Sequence, residues 1–433
     1  MLIILLAAFA LAADPPDSSD DDGVIQDDEA SAIERRPVRA SDVALAVPRA
    51  VLFVPRAATT LAFLPIRPLI RWGADHNVPG YYRRFVYWNE DETFGLRPRI
   101  SYDNNFGPTV GASLFHDSLF GNGEEANLTA SFGGSVVQSY EGRIVADRLG
   151  GAPVWTDVWG RYERNPNVVF AGFGSEQLSP VTRYSQTRWL GLAAAGVTLG
   201  RRTRQVQLGG GVIFNDRDFG PSQTDKQVSI EEEYDTSTLA GFDTGVTTVE
   251  VDAIGRLDFM TGGLRSRGVY AEAFGGPMWT DIGDPLVHYG FEFHGATPLF
   301  RGDRLVFTHL FVEALDGDDV PFTALPRLGG VHRLRGYRAD RFRDRRAASA
   351  TLGYSWPVHK NVQAQAFLDV GSTSDTFDNL FDTSGWRSGG GLSLLLGSES
   401  GVDARLDLAV GEGFFVGVGS DFQRVFRQRG TRL

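Results

Sequence analysis

The sequence predicts an all-β transmembrane barrel of sixteen antiparallel strands, preceded by a short helical N-terminal segment. Three observations carry this prediction: apolar and polar side chains alternate every two residues, glycine and aromatic residues are abundant, and short connections alternate with long ones. The 433 residues include 52 Gly and 30 Phe but no Cys, so the sequence offers no disulfide and no thiolate metal site. A closed barrel accommodates this length without dividing into several domains.

The first 88 residues divide by composition into three parts. Residues 1–13 have the short apolar core and small residues of a signal peptide, which predicts export. Residues 14–40 are acidic with almost nothing to bury, so we expect a disordered linker. Residues 41–88 combine apolar runs with Arg, and prolines leave no uninterrupted span long enough for a transmembrane helix. We expect amphipathic periplasmic helices there, either at a membrane surface or packed as a cap on the barrel.

Strand parity separates charged side chains from apolar ones. In residues 402–410, aliphatic side chains occupy every second position, and Asp403, Arg405 and Asp407 lie between them. A soluble sandwich turns its polar face to water, whereas mixed charge on one face of many strands favours a lumen, with the apolar face toward lipid. Aromatic residues near strand ends, among them Tyr354 and Trp356, are predicted to lie in the interfacial girdles.

The barrel is predicted to span residues 89–426, with a basic tail at 427–433. An even number of strands is the rule for a single-chain bacterial barrel. The longest connections, about 215–245 and about 316–343, both follow odd-numbered strands and therefore fall at one end, which we take as the outside. The predicted strands begin near residues 93, 107, 126, 138, 153, 185, 203, 246, 263, 288, 303, 344, 361, 386, 401 and 413.

Two short motifs lie two predicted strands apart. The first is in the long loop between the eleventh and twelfth strands, and the second is on the thirteenth strand. The first comprises Leu334, Arg335, Gly336 and Tyr337, and the second comprises Phe367, Asp369 and Gly371.

Together these motifs resemble the paired signatures of the bacterial surface-antigen superfamily, the barrels of BamA/TamA-type outer-membrane assembly and translocation proteins. The resemblance implies that the sixth outer loop folds into the lumen and that Arg335 pairs with Asp369, in a structural and gating role. Parity independently places Asp369 on the polar face, where a confined carboxylate needs a cationic partner. The alternative is that Arg335 is one of many solvated loop arginines.

The resemblance also implies a function in outer-membrane protein insertion or polypeptide translocation. Its partners would be outer-membrane lipids, nascent outer-membrane proteins and a periplasmic chaperone or adaptor. Most members carry POTRA (polypeptide-transport-associated) domains before the barrel, and no such pattern is visible here. The alternative function is a passive channel or structural surface protein in the same membrane.

Members of this superfamily have a weakly paired seam between their first and last strands. Here we expect it between residues 93–103 and 413–422, because Gly411, Gly413, Gly417 and Gly419 leave little side chain to pack. The alternative explanation for these glycines is barrel curvature.

Other function classes find little support. The net charge of −12 argues against nucleic-acid binding, which needs a basic face. There is no Gly-x-Ser-x-Gly motif and no H-E-x-x-H motif, so we expect no enzyme, no catalytic residue, no metal and no cofactor. His294 and His309 both fall on predicted strands, where a polar lumenal role is favoured over a metal site.

Overall fold

The computed structural model describes most of the predicted barrel. The predicted signal peptide, the acidic linker, nearly all of the segment 41–88, residues 420–426 and the tail 427–433 lie outside the described residues. The structure describes residues 81, 84–103, 107–133, 137–176, 178–201, 204–223, 228–261, 263–299, 304–359, 361–397 and 402–419.

Sixteen antiparallel strands form a closed barrel, as predicted. Each strand pairs with its neighbours in chain order, and the first strand closes the barrel against the last. The barrel strands are β1 (Phe94–Asp103), β2 (Gly107–His116), β3 (Glu125–Gly133), β4 (Val137–Ala146), β5 (Val154–Phe170), β6 (Thr182–Arg201), β7 (Arg204–Pro221), β8 (Val246–Asp258), β9 (Gly268–Thr280), β10 (Leu286–Pro298), β11 (Leu305–Asp316), β14 (Arg346–His359), β15 (Val362–Ser374), β16 (Arg387–Gly397), β17 (Val402–Val410) and β18 (Phe414–Gly419).

Smaller elements lie in the connections. In the described part of the chain, β12 (Arg327–Leu328) and β13 (Phe342–Arg343) form a two-stranded ribbon, and the connections contain the short helices α1 (Ile230–Glu233) and α2 (Phe377–Leu380). Single turns of 3₁₀ helix occur at Leu149–Gly151, Thr236–Thr238 and Thr383–Gly385. Among the described residues, no helix has the length and apolarity needed to cross a membrane.

The alternation along β8 shows how the wall is oriented. Glu250 and Asp252 are 1% and 3% exposed, whereas Val251 between them is 39% exposed. Charged side chains therefore point into the barrel and aliphatic ones point out of it, which is the reverse of a soluble core. Leu128, Val158 and Leu352 are likewise exposed on the outer surface.

The interior is not uniformly polar. Trp155 and Trp159 on β5 point inward and are buried. Trp155 packs with Ala194 and Ile254, and Trp159 belongs to a second apolar cluster with neighbouring strands. The predicted wet lumen is therefore filled with apolar side chains along this part of the wall.

Four long connections lie at the same end of the barrel, which we call the loop end. They comprise residues 171–181, 222–245, 317–345 and 375–386, and each follows an odd-numbered barrel strand. The connection 317–345, here called the sixth loop, contains the β12–β13 ribbon. Its Phe322 is 1% exposed and lies at this end of the barrel in a buried aromatic cluster with Phe170, Tyr184 and Phe242.

Candidate functional site

The sixth loop reaches the barrel wall through a sharp turn at its predicted motif. Leu334 and Gly336 have φ angles of 54° and 94°, in the left-handed region that glycine adopts most easily. A Cβ atom on Gly336 would lie 2.6 Å from the carbonyl carbon of Val410 and 2.7 Å from the amide nitrogen of Gly411. Gly336 therefore allows the loop backbone to rest directly on the end of β17.

Arg335 and Asp369 form a buried, bidentate ion pair. Arg335 Nε donates to Asp369 Oδ2 at 2.7 Å, and Arg335 Nη2 donates to Oδ1 at 2.8 Å. The backbone N–H of Arg335 donates to Oδ2 at 2.9 Å, and Thr351 Oγ1 donates to Oδ1 at 2.8 Å. Asp369 is 1% exposed and Arg335 is 6% exposed. A fork of parallel hydrogen bonds gives this pair both strength and a fixed geometry.

The remaining motif residues surround this pair. Phe367 lies beneath the guanidinium of Arg335, with 3.3 Å between the guanidinium carbon and the ring centroid. Tyr337 donates its hydroxyl hydrogen to the carbonyl oxygen of Ser388 at 3.1 Å. Leu334 packs in a buried apolar cluster with Tyr337, and a Cβ on Gly371 would lie 3.0 Å from Leu328 of β12. The structure thus brings the loop motif and the strand motif together.

The sixth loop is also tied to the turn between β17 and β18. Glu412 N–H donates to the carbonyl of Gly336 at 3.0 Å. Arg341 Nε donates to Glu412 Oε2 at 2.6 Å, and the amide of Arg338 donates to Oε1 at 3.4 Å. Sequence reasoning missed Glu412 and Arg341, because a carboxylate between two glycines looks like any solvated turn.

A third attachment joins Arg333 to a hydrogen-bonded network on the wall. Its guanidinium carbon lies 3.1 Å from the ring centroid of Phe311, and Nη2 lies 3.6 Å from Glu292 Oε2. Glu292 Oε1 is 2.7 Å from His309 Nε2, so this predicted strand histidine has a carboxylate partner. Within the described part of the chain, no group of three or more His, Cys, Asp or Glu side chains is arranged to hold a metal ion.

The predicted seam glycines differ in their surroundings. A Cβ on Gly417 would lie 2.8 Å from Val331 Cγ1 of the sixth loop. A Cβ on Gly411 would lie 2.7 Å from the Tyr337 ring. Gly413 lies in the turn before β18 and has only the Phe415 ring within 4 Å of such an atom. Two glycines of the last hairpin therefore make room for the sixth loop.

The seam itself is antiparallel. Among the described residues, the register across it is given by one pair, Tyr102 opposite Val418. Gly419 is the last described residue of β18, and the rest of the predicted seam strand, 420–422, lies outside the described residues. A pocket opens between the sixth loop and this hairpin, and Val331, Arg335, Asp407 and Gly417 help to line it.

A closed sixteen-stranded barrel with an aliphatic exterior, charged side chains inside and a loop held within it is an outer-membrane β-barrel. The fold is similar to that of BamA from Haemophilus ducreyi lacking POTRA domains 1–3, with a TM-score of 0.51 and 15% identity over 76% of this chain and 70% of that chain. It is also similar to CdiB from Escherichia coli, with a TM-score of 0.50 and 12% identity over 75% of this chain and 62% of that chain. No family model matches the sequence, and no curated protein matches it.

Proposed function

We propose that this barrel acts in the insertion of outer-membrane proteins or the translocation of polypeptides, as a member of the bacterial surface-antigen superfamily. The observation that carries the proposal is the sixth loop, whose motif is held on the thirteenth barrel strand by the Arg335–Asp369 pair. The two signature motifs resemble the superfamily in sequence and meet in space. The similarity of fold to BamA and CdiB supports the same assignment.

The contacts of the sixth loop support a gating role. The loop is attached to β15 through Asp369 and to the last hairpin through Glu412, so it links the wall to a strand of the seam. Release of the loop from Glu412 would free the hairpin that carries β18. An incoming strand could then pair with the exposed edge of β18 or β1, since an unpaired edge offers a row of free backbone groups. Arg335 and Asp369 have a positioning role in this scheme, with no chemistry of their own.

A disulfide across the seam tests the proposal. Tyr102→Cys with Val418→Cys would join β1 to β18 at their registered pair, and the absence of native cysteine makes the cross-link specific. The oxidised protein, reconstituted in vesicles, should fail to insert a urea-unfolded outer-membrane barrel, and reduction should restore insertion. A matched cross-link between β2 and β3, Ala112→Cys with Ala130→Cys, should have no effect. Full insertion by the seam-locked protein would overturn the proposal.

Clients and partners follow from the same proposal. Nascent outer-membrane proteins would meet the barrel from the periplasm, delivered by a chaperone or by an adaptor with POTRA-like modules. Depletion of this protein should lower the abundance of other barrels in the outer membrane. An unchanged outer-membrane proteome would instead favour the alternative function, a passive surface protein.

A further inference from the structure

The strand register places two pairs of arginines directly opposite each other. On the wall, Arg188 of β6 lies directly opposite Arg217 of β7, and Arg188 is also opposite Glu163 of β5. In the sixth loop, Arg327 of β12 lies directly opposite Arg343 of β13. Like charges directly opposite each other on neighbouring strands are destabilising. Such pairs therefore need a compensating partner.

The side chains of three of these arginines are deeply buried. Arg188 is 6% exposed, Arg217 is 4% exposed and Arg343 is fully buried. The sixth loop acts electrostatically on the wall pair, because its Arg327 and Asp340 lie within electrostatic range of both Arg188 and Arg217. The sixth loop also touches the wall directly, since Arg217 Nη1 donates to the carbonyl of Thr323 at 2.6 Å.

The carboxylates near this group are too few to balance it. Arg161 and Arg188 share Glu163, and Arg327 pairs with Asp340 at 2.8 Å. In the part of the chain that the structure describes, no carboxylate oxygen lies within 4 Å of a guanidinium nitrogen of Arg217 or Arg343. Among the described residues, these five guanidinium groups therefore have two carboxylates at ion-pair distance, Glu163 and Asp340, and a third, Glu313, acts on Arg327 from farther away.

Asp340 contributes a full negative charge to this balance. Burial alone raises the pKa of Asp340, but Arg327, followed by Arg343, outweighs burial and holds the pKa below its usual range. This single ionised carboxylate is shared among Arg327, Arg343 and Arg188, so it balances only part of their charge.

Some of the donors are also unused. Arg343 Nη2 donates to the carbonyl of Val169 at 2.8 Å, but among the described residues its Nε and Nη1 have no hydrogen-bond partner. The buried Nε of Arg188 likewise has no partner among them. A buried donor without an acceptor costs free energy, and a buried uncompensated charge costs more. An anion with several oxygens would satisfy both needs at once, because guanidinium groups match oxyanions in charge and in planar geometry.

We infer that this cluster, here called the arginine cluster (Arg161, Arg188, Arg217, Arg327 and Arg343), binds a phosphate-type oxyanion inside the barrel. The anion would be held between the β6–β7 wall and the β12–β13 ribbon. It would thereby also hold the sixth loop in place, at a site separate from the Arg335–Asp369 pair.

Thermal unfolding of the purified barrel in detergent tests the inference, with inorganic phosphate compared with chloride at matched ionic strength. Phosphate should raise the unfolding temperature of the wild type in a saturable way. Arg217→Gln should remove this increase. In phosphate-free buffer the same variant should unfold at or above the wild-type temperature, because it loses a like-charge repulsion. If the variant were equally destabilised with and without phosphate, Arg217 would be a structural residue and the inference would be wrong.

Direct binding provides a second readout that does not depend on stability. Equilibrium dialysis with radiolabelled phosphate should show one site per barrel, with affinity lowered by about tenfold or more in Arg217→Gln, equivalent to about 1.4 kcal/mol. Arg143→Gln is the matched control, because Arg143 on β4 is paired with its own carboxylate, Asp157, at 2.9 Å. This variant should bind phosphate with the wild-type affinity.

The source of the anion is distinguished by competition. If glycerol phosphate displaces the label as well as inorganic phosphate does, the site accepts the phosphate of a lipid headgroup. If only inorganic phosphate displaces it, the site takes a free ion. Absence of saturable phosphate binding by the folded wild-type barrel would overturn the inference.

Discussion

At the scale of single residues, the main feature is the Arg335–Asp369 ion pair, in which both charged groups have several partners. Asp369 accepts four hydrogen bonds, and Arg335 is stacked on Phe367. A buried ion pair adds little net stability when intact, but loss of one partner leaves a buried charge that nothing compensates. The pair therefore fixes where the loop sits more than it raises overall stability.

Asp369→Asn should destabilise the barrel by about 3–5 kcal/mol, because the guanidinium of Arg335 would remain buried without its counter-charge. The measurement is the temperature at which the folded, heat-modifiable band is lost in gel electrophoresis. Asp157→Asn is the control, because the Arg143–Asp157 pair has side-chain exposures of 26% and 23% and should contribute only about 1 kcal/mol or less. Equal effects of the two substitutions would contradict the role given to burial.

Gly336→Ala should displace the sixth loop, since the added methyl group would overlap the backbone at Val410 and the φ angle of 94° disfavours alanine. We expect a clear loss of heat resistance. Gly160→Ala on β5 is the matched control, because a Cβ there has no atom within 4 Å and should be tolerated. Similar stability of the two variants would argue against close contact between the loop and β17.

At the scale of elements, the sixth loop connects strands that are far apart around the barrel. Three of its attachments use Arg333, Arg335 and Arg341, which reach the β10–β11 wall, β15 and the last hairpin respectively. The glycines of the last hairpin are explained in part by this docking, because Gly411 and Gly417 lie against the loop. Neither a labile seam nor barrel curvature is needed to account for those two positions.

Glu412→Gln should loosen the attachment of the sixth loop, because Arg341 would lose its charged partner. We expect trypsin to cut within residues 317–345 of the folded variant under conditions that leave the wild type intact. Glu231→Gln on α1 removes an acidic residue from another loop and should not change the digestion pattern. Resistance of the Glu412→Gln barrel equal to that of the wild type would show that the other attachments hold the loop alone.

At the scale of the whole molecule, the strands form a closed wall, and side chains and a loop lie inside it. Trp155, Trp159 and the motif of the sixth loop lie inside the barrel, and the buried aromatic cluster around Phe322 lies at the loop end. A passive pore of this strand number would instead leave an open aqueous channel.

Planar-bilayer recordings should therefore show low, flickering conductance from the wild-type barrel. Removal of residues 329–341 should raise it, because the loop segment that fills the lumen would be gone. A large, steady conductance from the wild type would favour the passive channel, and no change on deletion would show that the loop does not obstruct the pore.

The number of strands and the face that each turns outward could be predicted from the sequence alone. Predicted strand starts such as 107, 246 and 401 lie at or close to the observed starts 107, 246 and 402, because a lipid-facing wall requires a two-residue alternation that can be recognised in the sequence. The same alternation placed Asp369 inside. It also places Tyr354 and Trp356 on the outward face of β14 together with the exposed Leu352, but these two aromatic side chains are stacked 5.4 Å apart and only 7% and 3% exposed, which alternation alone does not predict.

The contacts of the sixth loop and the contents of the barrel interior became known only from the three-dimensional structure. The hydrogen bond between Arg341 and Glu412 joins residues 71 positions apart, and the arginine cluster combines wall strands with a ribbon far along the chain. The alternation of side chains predicts which face of a strand points into the barrel. It does not predict which charged residue of a distant loop will contact that face. Those pairings depend on closure of the barrel and on the path of the sixth loop through it.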